Sequence, residues 1–318
     1  TGSQAFGGNG MPGSTDLADS FLFRSSVVSS SLWAEQGDDT LRLSDDFDES
    51  LLRAGSGADT VQIDGVVNKS QIFLEAGADS MLLQRSLNSS LIDCGDGNNV
   101  LTVSRDISGS TLLSGSDADM LRINSLISAS SLRAGLGADT LMIAAACQSV
   151  EIYLGSGSSG TEDGADSIRL DDNVVNSSLF SEQGADTLVA NGLFQSSYLR
   201  LGKGADSLSV GGLLTASSVY AEDDADSLVF REAISNYIDA GSGSDLLRFT
   251  GRLESSVLQL GAGQDTLLFN DGALASQIYA GDGNDLVAVT QALRSAVLID
   301  MGNGADTLNV GASSHDSF

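Results

Sequence analysis

A short acidic segment that opens an apolar strand returns along this chain at a nearly fixed interval, and that period restricts the fold more than any single motif. Aligned on the acid before each strand, the positions are Asp19, Asp39, Asp59, Asp79, Asn99, Asp119, Asp139, Asp166, Asp186, Asp206, Asp226, Asp245, Asp265, Asp285 and Asp306. Eleven of the fourteen intervals equal twenty residues, and the others are 27, 19 and 21. A period of this length marks a solenoid, in which each unit buries its apolar face only against its neighbours.

Within one unit the pattern is constant. After Asp119, Leu121 and Ile123 alternate with Arg122, the period of two that describes a half-buried strand. Leu126 and Ile127 mark a bend on the far side, and Ser130-Ser131 lead into a second alternation of Leu132 and Ala134 around Arg133. Gly135-Leu136-Gly137-Ala138 then turns the chain and delivers Asp139. Val61, Ile63, Ile72 and Leu74 repeat the scheme, as do Leu188, Leu199 and Leu201. The apolar spacing is two, never three and four, so no helix is expected. The chain should be all-β: a parallel, right-handed, β-roll-like solenoid with two short strands in each ~20-residue coil. About fifteen coils would extend roughly 70 Å at ordinary strand spacing.

One solenoid domain is expected over residues 16–311, with residues 1–15 as an N-terminal arm or cap and 312–318 as a tail. The 27-residue interval places seven extra residues around Ser156–Glu162, a surface loop within about 155–165. The 19-residue interval is expected to lose its residue in the far-side bend near Ser235.

Charge narrows the partners. Forty-three acids against 15 bases give a net charge of −28 and a pI near 4.1, which argues against nucleic acid and anionic membranes and favours cations. An apolar content of 41% is too high for simple disorder, and no run of eighteen apolar residues suggests membrane insertion. Cys94 and Cys147 form no CxxC pair and are expected to be small core residues beyond disulfide reach. The one histidine, His315, lies in the tail, and no Ser–His or Cys–His pair can be built, so no enzyme is expected.

The turn itself carries chemistry. In Gly-x-Gly-x-Asp the glycines supply positive φ angles at a tight corner, and the carboxylate follows at the same edge. Stacking coils about 4.8 Å apart lines up carboxylates and turn carbonyls into a row of oxygens. Such a row suits Ca²⁺, which takes about six to eight oxygen ligands, better than the strictly octahedral Mg²⁺.

Ala280-Gly281-Asp282-Gly283-Asn284-Asp285-Leu286 shows the motif at its fullest, with further copies ending at Asp59, Asp139, Asp206 and Asp306. These segments resemble the hemolysin-type calcium-binding repeats of RTX proteins. The resemblance implies a β-roll with Ca²⁺ at its edges, type I secretion, and folding outside a bacterial cell. Carried onto this chain, it implies metal ligands at Asp39, Asp59, Asp79, Asp119, Asp139, Asp166, Asp186, Asp206, Asp226, Asp245, Asp265, Asp285 and Asp306. Turn carbonyls near Gly55, Gly57, Gly135, Gly137, Gly202, Gly204, Gly281, Gly283, Gly302 and Gly304 would complete them.

The chain departs from that pattern in three ways. One motif appears per coil, so only one edge is equipped for calcium. Gln36, Ala76, Gln183 and Asp223 are read as replacing the first glycine, each preceded by a glutamate (Glu35, Glu75, Glu182 and Glu222) that is either an extra ligand or solvated charge. Asn99 lowers the charge of one rung. The plainer account of the aspartate column is a ladder of caps, each carboxylate accepting backbone N–H bonds in its own turn. Mutual repulsion in such a column would raise each pKa, and cations would relieve it.

A second column, Ser30, Ser50, Ser70, Ser90, Ser110, Ser130, Ser177, Ser197, Ser217, Ser256 and Ser276, is read as a hydroxyl ladder making local backbone bonds. A flat array for ice or glycans is the sharper alternative. The variable turn residues Ser56, Asp96, Leu136, Lys203, Ala262 and Asn303 argue against ice. The function expected is a calcium-stabilised extracellular structural protein: a filament, surface-layer or adhesion subunit that associates end to end or with other cell-surface components. The alternative is the repeat domain of a larger secreted toxin, enzyme or adhesin.

Overall fold

The computed structural model describes residues 4–6, 17–155, 163–291 and 293–311. His315 and the expected C-terminal tail lie outside the described residues, as do most of the N-terminal arm and of the inserted loop. The chain divides into two compact units, Thr1–Ser167 and Ile168–Phe318. Each is a parallel β-solenoid, and no helix occurs among the described residues.

A coil holds three strands where the sequence predicts two. Thr60–Ile63 is followed by the two-residue strand Val67–Asn68 and then by Gln71–Ala76. The stretch read as a far-side bend is this middle strand: Ile127–Ser128 pairs with Ile107–Ser108 before it and Cys147–Gln148 after it. Side-chain alternation is too short over two residues to register in a sequence pattern, although the ladder pairing is regular.

In the first unit, strands such as Leu51–Ser56, Gln71–Ala76 and Leu91–Asp93 stack in one sheet. The strands that follow each acid, Thr40–Leu43, Thr60–Ile63 and Ser80–Leu83, stack in another. Register is twenty residues throughout these pairs, so each coil lies on its own sequence equivalent. Inward positions are buried almost completely, as Val61, Ile63, Val67, Ile72 and Leu74 show at 0–1% exposure. Gln4–Phe6 pairs with Ser31–Trp33, Gln4 opposite Ser31, so part of the expected arm adds a strand to this sheet.

The second unit repeats the plan with Tyr198–Lys203, Ser218–Asp223 and Tyr237–Asp239 in one sheet and Thr187–Ala190, Ser207–Thr215 and Ser227–Ile234 in the other. Its core contains an inward stack of Phe230, Phe249 and Phe269, with ring centroids 5.2 and 5.1 Å apart. The missing residue of the 19-residue interval falls elsewhere than expected. Val210 pairs with Phe230, but Leu213 pairs with Glu232, so the shortening sits at Arg231 rather than near Ser235. It is taken up at the corner between two strands, where the ladder can slip without moving a core side chain.

Cys94 and Cys147 are free and about 1% exposed, packed inward as small core residues.

Candidate metal centre along the glycine edge

Where the turn carries glycines at φ well above 100°, as at Gly55 and Gly57, they are needed for stacking as well as for φ. A Cβ on Gly57 (φ +134°) would lie 2.0 Å from the Gly37 carbonyl oxygen, and one on Gly55 (φ +114°) would meet the Glu35 carbonyl oxygen. The carbonyl of one coil therefore occupies the space a side chain would take in the next.

This geometry corrects the reading of the substituted turns. The first-glycine position is held by Glu35, Glu75, Glu182 and Glu222 themselves, at φ 73–81°, while Gln36, Ala76, Gln183 and Asp223 fall on the variable position. Glu75 and Glu222 are solvated partners of arginines one coil back. Glu75 Oε1 is 2.7 Å from Arg53 Nη1, and Glu222 pairs with Arg200.

The aspartate column is buried, with Asp59, Asp79, Asp119, Asp139, Asp206, Asp245, Asp265 and Asp285 all 1–3% exposed. Asp39, Asp166, Asp186 and Asp226 are buried in the same row, whereas Asp306 in the last described coil is half-buried. One carboxylate oxygen has a structural task. Asp79 Oδ1 accepts the Asp59 backbone N–H at 2.7 Å, Asp139 Oδ1 that of Asp119 at 2.7 Å, and Asp265 Oδ1 that of Asp245 at 2.9 Å. Asp166 Oδ1 receives the Asp139 N–H at 2.7 Å, so the inserted segment leaves the ladder intact. The carboxylates thus cap the preceding coil rather than their own turn.

The second oxygen is different. Oδ2 of Asp59, Asp79, Asp119, Asp139, Asp206, Asp226, Asp245, Asp265 and Asp285 is buried and accepts no hydrogen bond. Asn99 shows what that position faces. Its Oδ1 accepts the Asp79 N–H at 3.0 Å, as an aspartate would. Its Nδ2 then points at three carbonyl oxygens: Gly97 at 2.8 Å, Gly95 at 3.4 Å and Ser114 of the next coil at 3.5 Å. A planar group with one oxygen fixed by the same bond places its other atom in the same spot. These orphaned Oδ2 atoms therefore face the carbonyls of the two turn positions of their own coil, both glycine in the fullest copies, and a carbonyl of the following coil. For Asp139 these belong to Gly135, Gly137 and Leu154; for Asp59, to Gly55, Gly57 and Leu74. The glycine pairs Gly202 and Gly204, Gly281 and Gly283, and Gly302 and Gly304 hold the same places before Asp206, Asp285 and Asp306.

A buried carboxylate oxygen that has no donor of its own and faces only carbonyl oxygens is costly unless a cation or a proton enters. Loss of solvent is the first cause of the raised carboxyl pKa values, opposed by the N–H bond from the preceding coil. It pushes Asp59, Asp119 and Asp265 up to about 7, Asp226 to about 8, and Asp79, Asp139, Asp206 and Asp245 to about 6. Neighbouring rungs add to the rise at Asp59, Asp226 and Asp265, but less than burial does. Repulsion along the column is thus the smaller part of the penalty.

The donor set fits a hard divalent cation such as Ca²⁺, which is held by carboxylate and carbonyl oxygens. Among the described residues no three His, Cys, Asp or Glu side chains converge on one point, so backbone carbonyls would supply most ligands.

The serine column is a second inter-coil ladder. Ser70 Oγ accepts the Ser50 N–H at 3.1 Å and donates to the Asn68 carbonyl at 2.8 Å. Ser50, Ser90, Ser110, Ser197 and Ser217 make the equivalent bonds and are buried, which removes them as a surface array. The residue before each serine is left-handed, with φ 46–50° at Glu49, Lys69, Ala129 and Ser196 among others. The far edge therefore holds by a hydroxyl ladder as well as by packing. A row of solvent-exposed hydroxyls that the sequence reading passed over directly follows the acids: Thr40, Thr60, Ser80, Thr187 and Ser207.

No family model matches this chain, and no curated protein matches it. Among solved structures it is similar to the crystal structure of a hyperactive, Ca²⁺-dependent, β-helical antifreeze protein from an Antarctic bacterium. The shared feature is the fold. The TM-score is 0.63 at 18% identity, over 86% of this chain and 84% of that one.

Proposed function

We propose that this protein is a calcium-stabilised structural solenoid of the RTX type, working outside the cell as a filament, surface-layer or adhesion subunit. The observation that carries the reading is the row of buried Oδ2 atoms that face carbonyls and accept no hydrogen bond. A cation at each such rung would join one coil's carboxylate and turn carbonyls to a carbonyl of the next. Binding free energy would then become folding free energy, as it does where the site forms only in the folded chain. The Ca²⁺ dependence of the antifreeze protein of similar fold supports calcium as the ion.

Assembly is supported by inward-type apolar positions that stand open among the described strands. Leu308 and Val310 are 45% and 46% exposed in the last described strand of the second unit, although their partners one coil earlier, Val287 and Val289, are buried. Inward-type residues on an open sheet edge invite another coil. A second copy stacked head to tail would give a non-closing contact and a fibre. An ice-binding role is not favoured, because bulky exposed Arg42, Arg122, Arg169 and Arg248 share the face of the exposed threonines and serines.

Circular dichroism and electron microscopy with calcium and after chelation test both parts. Loss of β signal and melting temperature on chelation, and filaments in calcium, are expected. An unchanged melting point after chelation would remove the calcium reading, and only monodisperse monomers in calcium would remove the polymer.

A further inference from the structure

We propose that Asn99 is a built-in cation-free rung, at which the side-chain amide takes the place the ion holds at the aspartate rungs. The proposal rests on the calcium reading above. Asn99 is 2% exposed and sits in the column register, with Asp79 one coil before and Asp119 one coil after. Its backbone N–H donates to Asp119 Oδ1 at 2.7 Å, so the inter-coil ladder passes through it unbroken. The only chemical change is at the second terminal atom. An aspartate presents an acceptor to the three carbonyls there, whereas the amide presents two N–H donors, and Nδ2 lies 2.8 Å from the Gly97 carbonyl oxygen.

Two consequences follow. The pocket at this rung is filled by a group that is part of the chain, so no cation enters it. The coil is also closed without any ion, because Nδ2 donates to the Gly97 carbonyl where an aspartate would place a bare acceptor, and no buried charge is introduced. In a solenoid, where order spreads between nearest neighbours, such a coil can form before calcium arrives and offer a finished surface to the rungs on either side. The same exchange should work in reverse at any aspartate rung that has both turn glycines, for example Asp265 with Gly261 and Gly263.

The test uses the full chain with Asn99→Asp and Asp265→Asn. Bound calcium is counted by equilibrium dialysis with elemental analysis, and denaturation midpoints are measured in calcium and in chelator. Asn99→Asp is expected to bind at least one more Ca²⁺ per chain than wild type and to show a lower midpoint in chelator. Asp265→Asn is expected to bind at least one fewer and to show a higher midpoint in chelator. Should Asn99→Asp fail to fold even in calcium, the Asp265→Asn pair of measurements decides the matter alone. Unchanged stoichiometry in the folded variants, or a lower chelator midpoint for Asp265→Asn, overturns the proposal while leaving a calcium-binding wild type intact. A wild type that binds no calcium instead overturns the reading beneath it.

Discussion

Remove calcium and the solenoid should become a protein stabilised by acid. The perturbation is a pH series from 8 to 5 on calcium-free chain, kept above the pI near 4.1. Asp59, Asp119 and Asp265 have folded pKa values of about 7, and Asp226 about 8, against 3.8 for the free side chain. Because the folded values are raised, the folded state holds protons that the unfolded chain has released. Stability is fully present below the unfolded pKa and is lost as pH rises through about 6 to 8. The protonated Oδ2 can donate to the carbonyls that the Asn99 amide reaches, which is why the proton substitutes for a cation. If a cooperative unit holds three such protons, its stability falls by about 4 kcal/mol per pH unit before screening at the turn reduces it. For a unit of roughly 150 residues that corresponds to about 10 °C in melting temperature per pH unit. Saturating calcium should reverse the slope, since protons then compete with the ion. Melting followed by circular dichroism reads both curves. A calcium-free midpoint that is constant from pH 5 to 8, or rises with pH, would refute the reasoning.

Three substitutions probe the other supports. Ser70→Ala orphans the Ser50 N–H and the Asn68 carbonyl partner and should cost about 1–3 kcal/mol in urea unfolding. Phe249→Ala opens the middle of the phenylalanine stack and should cost about 3–5 kcal/mol, with Phe249→Leu clearly milder; equal losses would argue against tight packing there. Gly57→Ala places a Cβ 2.0 Å from the Gly37 carbonyl at φ +134° and should destabilise by more than about 2 kcal/mol in calcium; a neutral effect would mean the coils can separate freely.

The period, the parallel solenoid, the inward core and the acid column are all legible in the sequence, whereas the burial of that column is not. Each depends on residues within one twenty-residue unit, where alternation and turn chemistry are local. The middle strand escapes because Ile127–Ser128 is too short to show a period. What the tertiary structure alone decides lies between coils. Stacking sets Gln36 opposite Ser56, so that Glu35 rather than Gln36 takes the left-handed position that Gly55 holds in the next coil. It also splits each carboxylate into one oxygen bound to the coil before and one left facing carbonyls. It turns the serines inward as partners of N–H groups twenty residues away. No single unit carries that information, since every one of these groups is completed by the unit beside it.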